Sequence, residues 1–140
     1  MRFMVLVKAD KDSEAGVMPS RELVAAMERF NEEMMRAGVM LAGEGLHPSS
    51  KGTRVSFSGG KPTVSDGPFK GDLIAGFWMI QVPSKAAAVA WASRAPFQTG
   101  QLEIRQVFEA SDFPADVLPP EEAAREQAMR DELQKRGAQR

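Results

Sequence analysis

The chain has 140 residues, 43% hydrophobic and 26% charged, which suits one domain with its own core and argues against wholesale disorder. With 18 basic against 19 acidic residues the net charge is -1, so no global attraction draws the chain to nucleic acid or to an acidic membrane. Cysteine is absent and histidine occurs once, which excludes disulfides, thiolate metal sites and cysteine nucleophiles and leaves no metal or other cofactor expected.

Residues 2 to 8 are rich in strand formers with apolar side chains on both faces, the pattern of a central first strand. Their apolar run is bounded by charges and too short for a signal core or a membrane span, so a cytoplasmic location is expected. Asp10 to Pro19 reads as a polar loop, and Ser20 as the N-cap of a first helix. Leu23, Met27, Phe30 and Met34 fall on one face of that helix, and Gly38 is placed to stop it.

Val39 to Leu46 reads as a strand in which Gly43 and Gly45 mark a bulge or a close approach. Thr53 to Ser58 and Pro62 to Ser65, joined by Gly59-Gly60-Lys61, form an antiparallel hairpin. Asp66-Gly67-Pro68 is a turn signal, and Leu73 to Val82, the most apolar stretch, is expected to be a buried central strand. Ser84 caps a second helix running to about Arg94 with Trp91 as its large anchor, and Leu102 to Phe108 is the last strand. In the tail, Glu121/Arg125, Glu126/Arg130, Asp131/Lys135 and Glu132/Arg136 stand four apart with acid before base, the spacing of an exposed helix.

Strand, helix, strands, helix, strand is an α+β order with helices on one face of an antiparallel sheet: a ferredoxin-like protomer with an inserted β-hairpin and a C-terminal helical extension. The other sheet face, with the apolar residues alternating around Trp78 and Ile80, is too apolar to leave in water, and a partner sheet would cover it. The domain is placed at residues 1–113, with 114–140 as the extension.

Ala42-Gly43-Glu44-Gly45-Leu46-His47-Pro48, Ser65-Asp66-Gly67-Pro68-Phe69, Ile74-Ala75-Gly76-Phe77-Trp78 and Glu103-Ile104-Arg105-Gln106-Val107 occur in this order. Together they resemble the YCII-related proteins that carry a DGPF signature. The resemblance implies a dimeric α/β barrel, a homodimer whose two sheets enclose a cleft. It also implies a His/Asp acid-base pair, which His47 and Asp66 match. Ala95 precedes Pro96 where relatives often have cysteine, so no thiol chemistry is implied.

His47 stands at a strand end beside Pro48, where side chains tend to be accessible. If the strands ending at 46, 58 and 65 form a meander, His47 and Asp66 reach one edge, and Asp66 can fix the imidazole tautomer while the other ring nitrogen moves a proton. Equally, His47 is a loop residue and Asp66 a turn former bonded to its own backbone. Glu44, between two glycines, is a candidate substrate contact or the ion-pair partner of Arg54. Three functions remain open: an enzyme doing His/Asp acid-base chemistry on a small organic molecule, a non-catalytic ligand-binding or sigma-factor-associated accessory module, and a purely structural dimer with a filled cleft.

Overall fold

The computed structural model describes residues 1–138 and divides by internal contacts into Met1–Val107 and a unit from Phe108 onward. In the first unit β1 (Arg2–Lys8) leads through a short α1 (Lys11–Glu14) into α2 (Arg21–Arg36) and β2 (Met40–Gly45). A hairpin of β3 (Thr53–Ser58) and β4 (Lys61–Asp66) follows, then β5 (Ile74–Gln81), α3 (Lys85–Ala92) and β6 (Leu102–Gln106). Four strands form one antiparallel sheet in the order β2-β5-β1-β6, while β3 and β4 pair only with each other. Set aside the hairpin and α1, and this is the split βαβ arrangement of a ferredoxin-like fold.

Local chemistry explains the helices. Ser20 Oγ accepts the Leu23 N–H at 3.1 Å, and Ser84 Oγ accepts the Ala87 N–H at 3.1 Å, so both long helices of this unit start at a side-chain cap. α2 is C-capped by Ala37, and Gly38 takes the left-handed φ of +71° that turns the chain into β2. The short α1 lies within the stretch expected to be loop. Asp10 accepts the Ser13 N–H while Ser13 Oγ accepts the Asp10 N–H, a reciprocal cap that folds one turn.

The core lies between the sheet and the helices. Phe3 and Val5 from β1, Trp78 and Ile80 from β5, Phe30 and Met34 from α2 and Ala88 from α3 are all buried. Each large apolar side chain buried there contributes on the order of 1.5–3 kcal/mol. Trp78 is held edge-on by Phe30, ring centroids 5.5 Å apart, and its indole N–H donates to Asn31 Oδ1 at 2.8 Å. Trp78 and Ile80 therefore belong to the helix-covered face. Register gives the open face a different set: Met4 opposite Met79, Leu6 opposite Phe77, and Phe77 opposite Glu44.

Of the two glycines of β2, Gly43 marks a close approach, since a Cβ there would lie 2.7 Å from Trp78 Cδ1, whereas a Cβ on Gly45 would meet nothing within 4 Å. The register slip falls ahead of both, between Met40 and Ala42. No meander forms, because β2 pairs with β5 and the hairpin stands as its own sheet.

In the second unit a 3-10 turn (Ala110–Asp112) precedes α4 (Pro120–Ala138). Arg130 pairs with Glu126 at 3.9 Å and Glu109 at 3.6 Å, and Arg136 with Glu132 at 3.3 Å, so two of the expected acid-before-base pairs close. Arg125 instead meets Glu122 at 3.9 Å, one position closer than Glu121. The last residues of the expected extension, 139 and 140, lie outside the described residues.

Candidate functional site

His47 follows directly on the last β2–β5 bond, in which the Leu46 N–H donates to the Ala75 carbonyl at 2.8 Å. The backbone then turns through Pro48 into a 3-10 segment at Ser49–Lys51 and enters β3 at Thr53. His47 is exposed and, among the described residues, has no hydrogen-bond or ion-pair partner. Asp66 closes β4 directly across from Thr53, whose hydroxyl donates to Asp66 Oδ1 at 2.9 Å. Its carboxylate thus bonds a cross-strand side chain, and no hydrogen bond joins it to His47.

What binds the two segments together is Ser49. Its N–H and hydroxyl both donate to Glu14, at 2.9 Å to Oε2 and 2.5 Å to Oε1, and its Oγ accepts the Phe69 N–H at 2.9 Å. Beside it the Gly67 N–H donates to the Gly52 carbonyl at 2.9 Å. Contact here is so close that a Cβ on Gly67 would fall 1.8 Å from the Ser49 carbonyl oxygen. The residue two past His47 is therefore packed on the residue one past Asp66, and α1 supplies the carboxylate that clamps them. The Ser49 side-chain bond, then its backbone bond, hold the Glu14 carboxyl below its ordinary pKa.

Neither Glu14 nor Ser49 stands out in the sequence. They are 35 positions apart, and the stretch holding Glu14 reads as loop. Glu14 and Phe69 also line an open hollow of about 330 Å³ with Ala9, Asp10, Lys11 and Leu73, and none of His47, Asp66 and Glu44 borders it.

Glu44 lies on the open face of the four-stranded sheet, opposite Phe77 and next but one to Leu6. It is exposed and has no ion-pair partner among the described residues. The expected pairing with Arg54 does not form, because the Arg54 guanidinium sits 4.0 Å over the Phe69 ring. At the far end of the same cross-strand row Glu103 is compensated, by Arg105 at 3.3 Å and by Lys8 at 3.6 Å. Lys8 bonds Asp72 at 2.6 Å, and chiefly through that bond its pKa is raised. The sheet face thus offers an apolar centre with one uncompensated carboxylate at its β2 edge.

The model of the YCII-related domain matches residues 1–111. The chain belongs to the YCII-related domain family. That match spans the whole four-stranded sheet, the hairpin and every residue of the Ser49 cluster. No curated protein matches the sequence closely enough to carry a name across. Among the described residues of this YCII-related chain, no helix is long and apolar enough to cross a membrane. Nor is any group of three or more His, Asp and Glu side chains placed to hold a metal ion.

Proposed function

We propose that this YCII-related protein is a cytoplasmic homodimeric enzyme that moves a proton on a small organic molecule held against the open sheet face. His47 acts as the base, Asp66 as the group that orients it, and Glu44 as the carboxylate that meets the substrate. One observation carries the reading: the Ser49 cluster ties the loop of His47 to the turn of Asp66. A general base must be held relative to its orienting group, and a loop bonded at three points is stiffer than a free one. The Asp66-Gly67-Pro68-Phe69 turn supports placing the chain in the DGPF group, and the apolar open face supports a partner sheet across it.

A single histidine makes the test direct. The imidazole resonances of His47, followed by NMR at one pH, are expected to shift in Asp66→Asn, since a group that orients the ring sets its surroundings. Identical imidazole spectra in the two proteins would remove Asp66 from the site. For a molecule that copurifies, His47→Ala is expected to abolish turnover. Binding that survives that substitution, with no turnover by the unaltered protein, would point instead to an accessory module of the sigma-factor-associated kind.

A further inference from the structure

The hairpin is amphipathic in the reverse of the usual sense. Side chains alternate across a strand, so Arg54, Ser56, Thr63 and Ser65 share one face of the β3–β4 ribbon and Val55, Phe57, Pro62 and Val64 share the other. Arg54 stacks on Phe69, whose N–H is bonded to Ser49, so the polar face is the one turned toward the chain's own loops. The apolar face lies on the other side of the ribbon, with Val55 52%, Phe57 73% and Val64 66% exposed. An isolated two-stranded ribbon is marginal in water, and a contiguous apolar patch of this kind marks a surface that is covered in the working state.

We infer that this face is a docking arm that packs on a second copy of the chain, an inference that rests on the homodimer in the reading above. Area favours that occupant. A stable pair of identical chains buries about 800 Å² on each partner. Met4, Leu6, Phe77 and Met79 on the open sheet face are already half-buried within one chain, so each has less apolar surface left to lose to a partner than the side chains of the arm. The arm's side chains are far more exposed and supply what the sheets lack. Charge disfavours a lipid surface, because Arg54 and Lys61 lie on the opposite face of the ribbon and the apolar face carries only the acidic Asp66. Asp66 also places the arm in the candidate site. It sits at the base of the apolar face, bonded to Thr53, so a second copy seated there walls the carboxylate on one side.

Sedimentation velocity of the full chain over a range of concentrations tests this. The comparison is between the unaltered protein, Val55→Thr/Phe57→Ser/Val64→Thr on the arm, and Met79→Lys on the open sheet face. A dimer whose dissociation constant rises at least about thirtyfold in the arm variant is expected. A dimer undisturbed by the arm variant but broken by Met79→Lys overturns the arm and leaves the cleft between sheets standing. A monomeric unaltered protein overturns both, and the His47 imidazole spectrum in Asp66→Asn then judges the acid-base pair separately. Because the chain has no cysteine, Phe57→Cys gives an independent readout that does not depend on the triple variant folding. Its maleimide labelling is expected to slow as concentration rises through the dimer range, and a rate independent of concentration overturns the arm.

Discussion

Ser49 gives both its hydroxyl and its backbone N–H to the two oxygens of Glu14, at 2.5 and 2.9 Å. One carboxylate from the turn after β1 thereby fixes the loop that carries the only histidine, and the bonds favour its charged form. A carboxyl whose pKa is depressed by folding contributes stability above its unfolded value, and that contribution is lost as pH falls through the folded value. Stability of the unaltered protein is therefore expected to drop as pH falls below the ordinary glutamate value of 4.5. Glu14→Gln is expected to be less stable near neutrality and to show a shallower acid limb. Asp10, also held below its usual pKa by the Ser13 N–H, keeps part of the slope in both proteins. Urea unfolding between pH 3 and 7 measures the difference, and parallel curves would refute it.

Gly67 is the position where the cluster tolerates no side chain. An alanine Cβ would overlap the Ser49 carbonyl oxygen at 1.8 Å, and since that atom is backbone the turn itself must move. Gly67→Ala is expected to cost about 1–3 kcal/mol in urea unfolding, the range of overpacking, and to break the Gly67–Gly52 and Phe69–Ser49 bonds. It is also expected to move the His47 imidazole resonances as Asp66→Asn does, which separates a moved turn from a merely weaker fold.

The elements of the sheet and the helices could be read from the chain because their causes are local. Ser20 and Ser84 are caps, Gly38 is a stop, and Gly59-Gly60 is a hairpin turn. Which face of β5 meets the helices was not local. Trp78 and Ile80 alternate with Phe77 and Met79, all of them apolar, so a period of two identifies the strand without choosing its inner side. The choice follows from Phe30 and Asn31 on α2, which receive the indole ring and its N–H. The Ser49 cluster escaped for a related reason. Its bonds join segments 35 and 20 positions apart, and no spacing rule links such residues.

Asn31 tests that choice of face. Its Oδ1 is the acceptor for the Trp78 indole, a ring only 4% exposed. Asn31→Leu keeps the branching of the side chain and removes the acceptor, so the N–H is stranded at a cost of about 1–3 kcal/mol. Chemical denaturation measures the loss, and the tryptophan emission maximum reports whether the ring stays buried. A variant as stable as the unaltered protein would mean that the indole finds another acceptor.

Gly43 probes the same ring from the other side. In Gly43→Ala the new methyl meets Met40 Cε at 2.6 Å and Trp78 Cδ1 at 2.7 Å. Met40 offers the far end of a flexible side chain and can yield. The indole, pinned by Phe30 and Asn31, cannot move without giving up its hydrogen bond. A loss of about 1–3 kcal/mol is expected, again by denaturant. Combined with Asn31→Leu the loss is expected to be smaller than the sum, because a ring already released can move aside. Strict additivity of the two would place the strain on Met40 and the β2 bulge instead.

His47 is expected to be silent in every stability measurement. It is exposed, and no described side chain or backbone group bonds it, so His47→Ala removes no interaction that folding makes. Its unfolding free energy should stay within about 0.5 kcal/mol of the unaltered protein, the range of ordinary surface substitutions. That silence is what makes the substitution informative about chemistry. A loss of turnover in His47→Ala then comes from the imidazole and not from a damaged scaffold, whereas Ser49→Ala, which breaks the Glu14 and Phe69 side-chain bonds, is expected to lower both stability and turnover. If His47→Ala destabilised the chain by more than about 1 kcal/mol, the imidazole would be part of the scaffold, and its role as a free base would have to be abandoned.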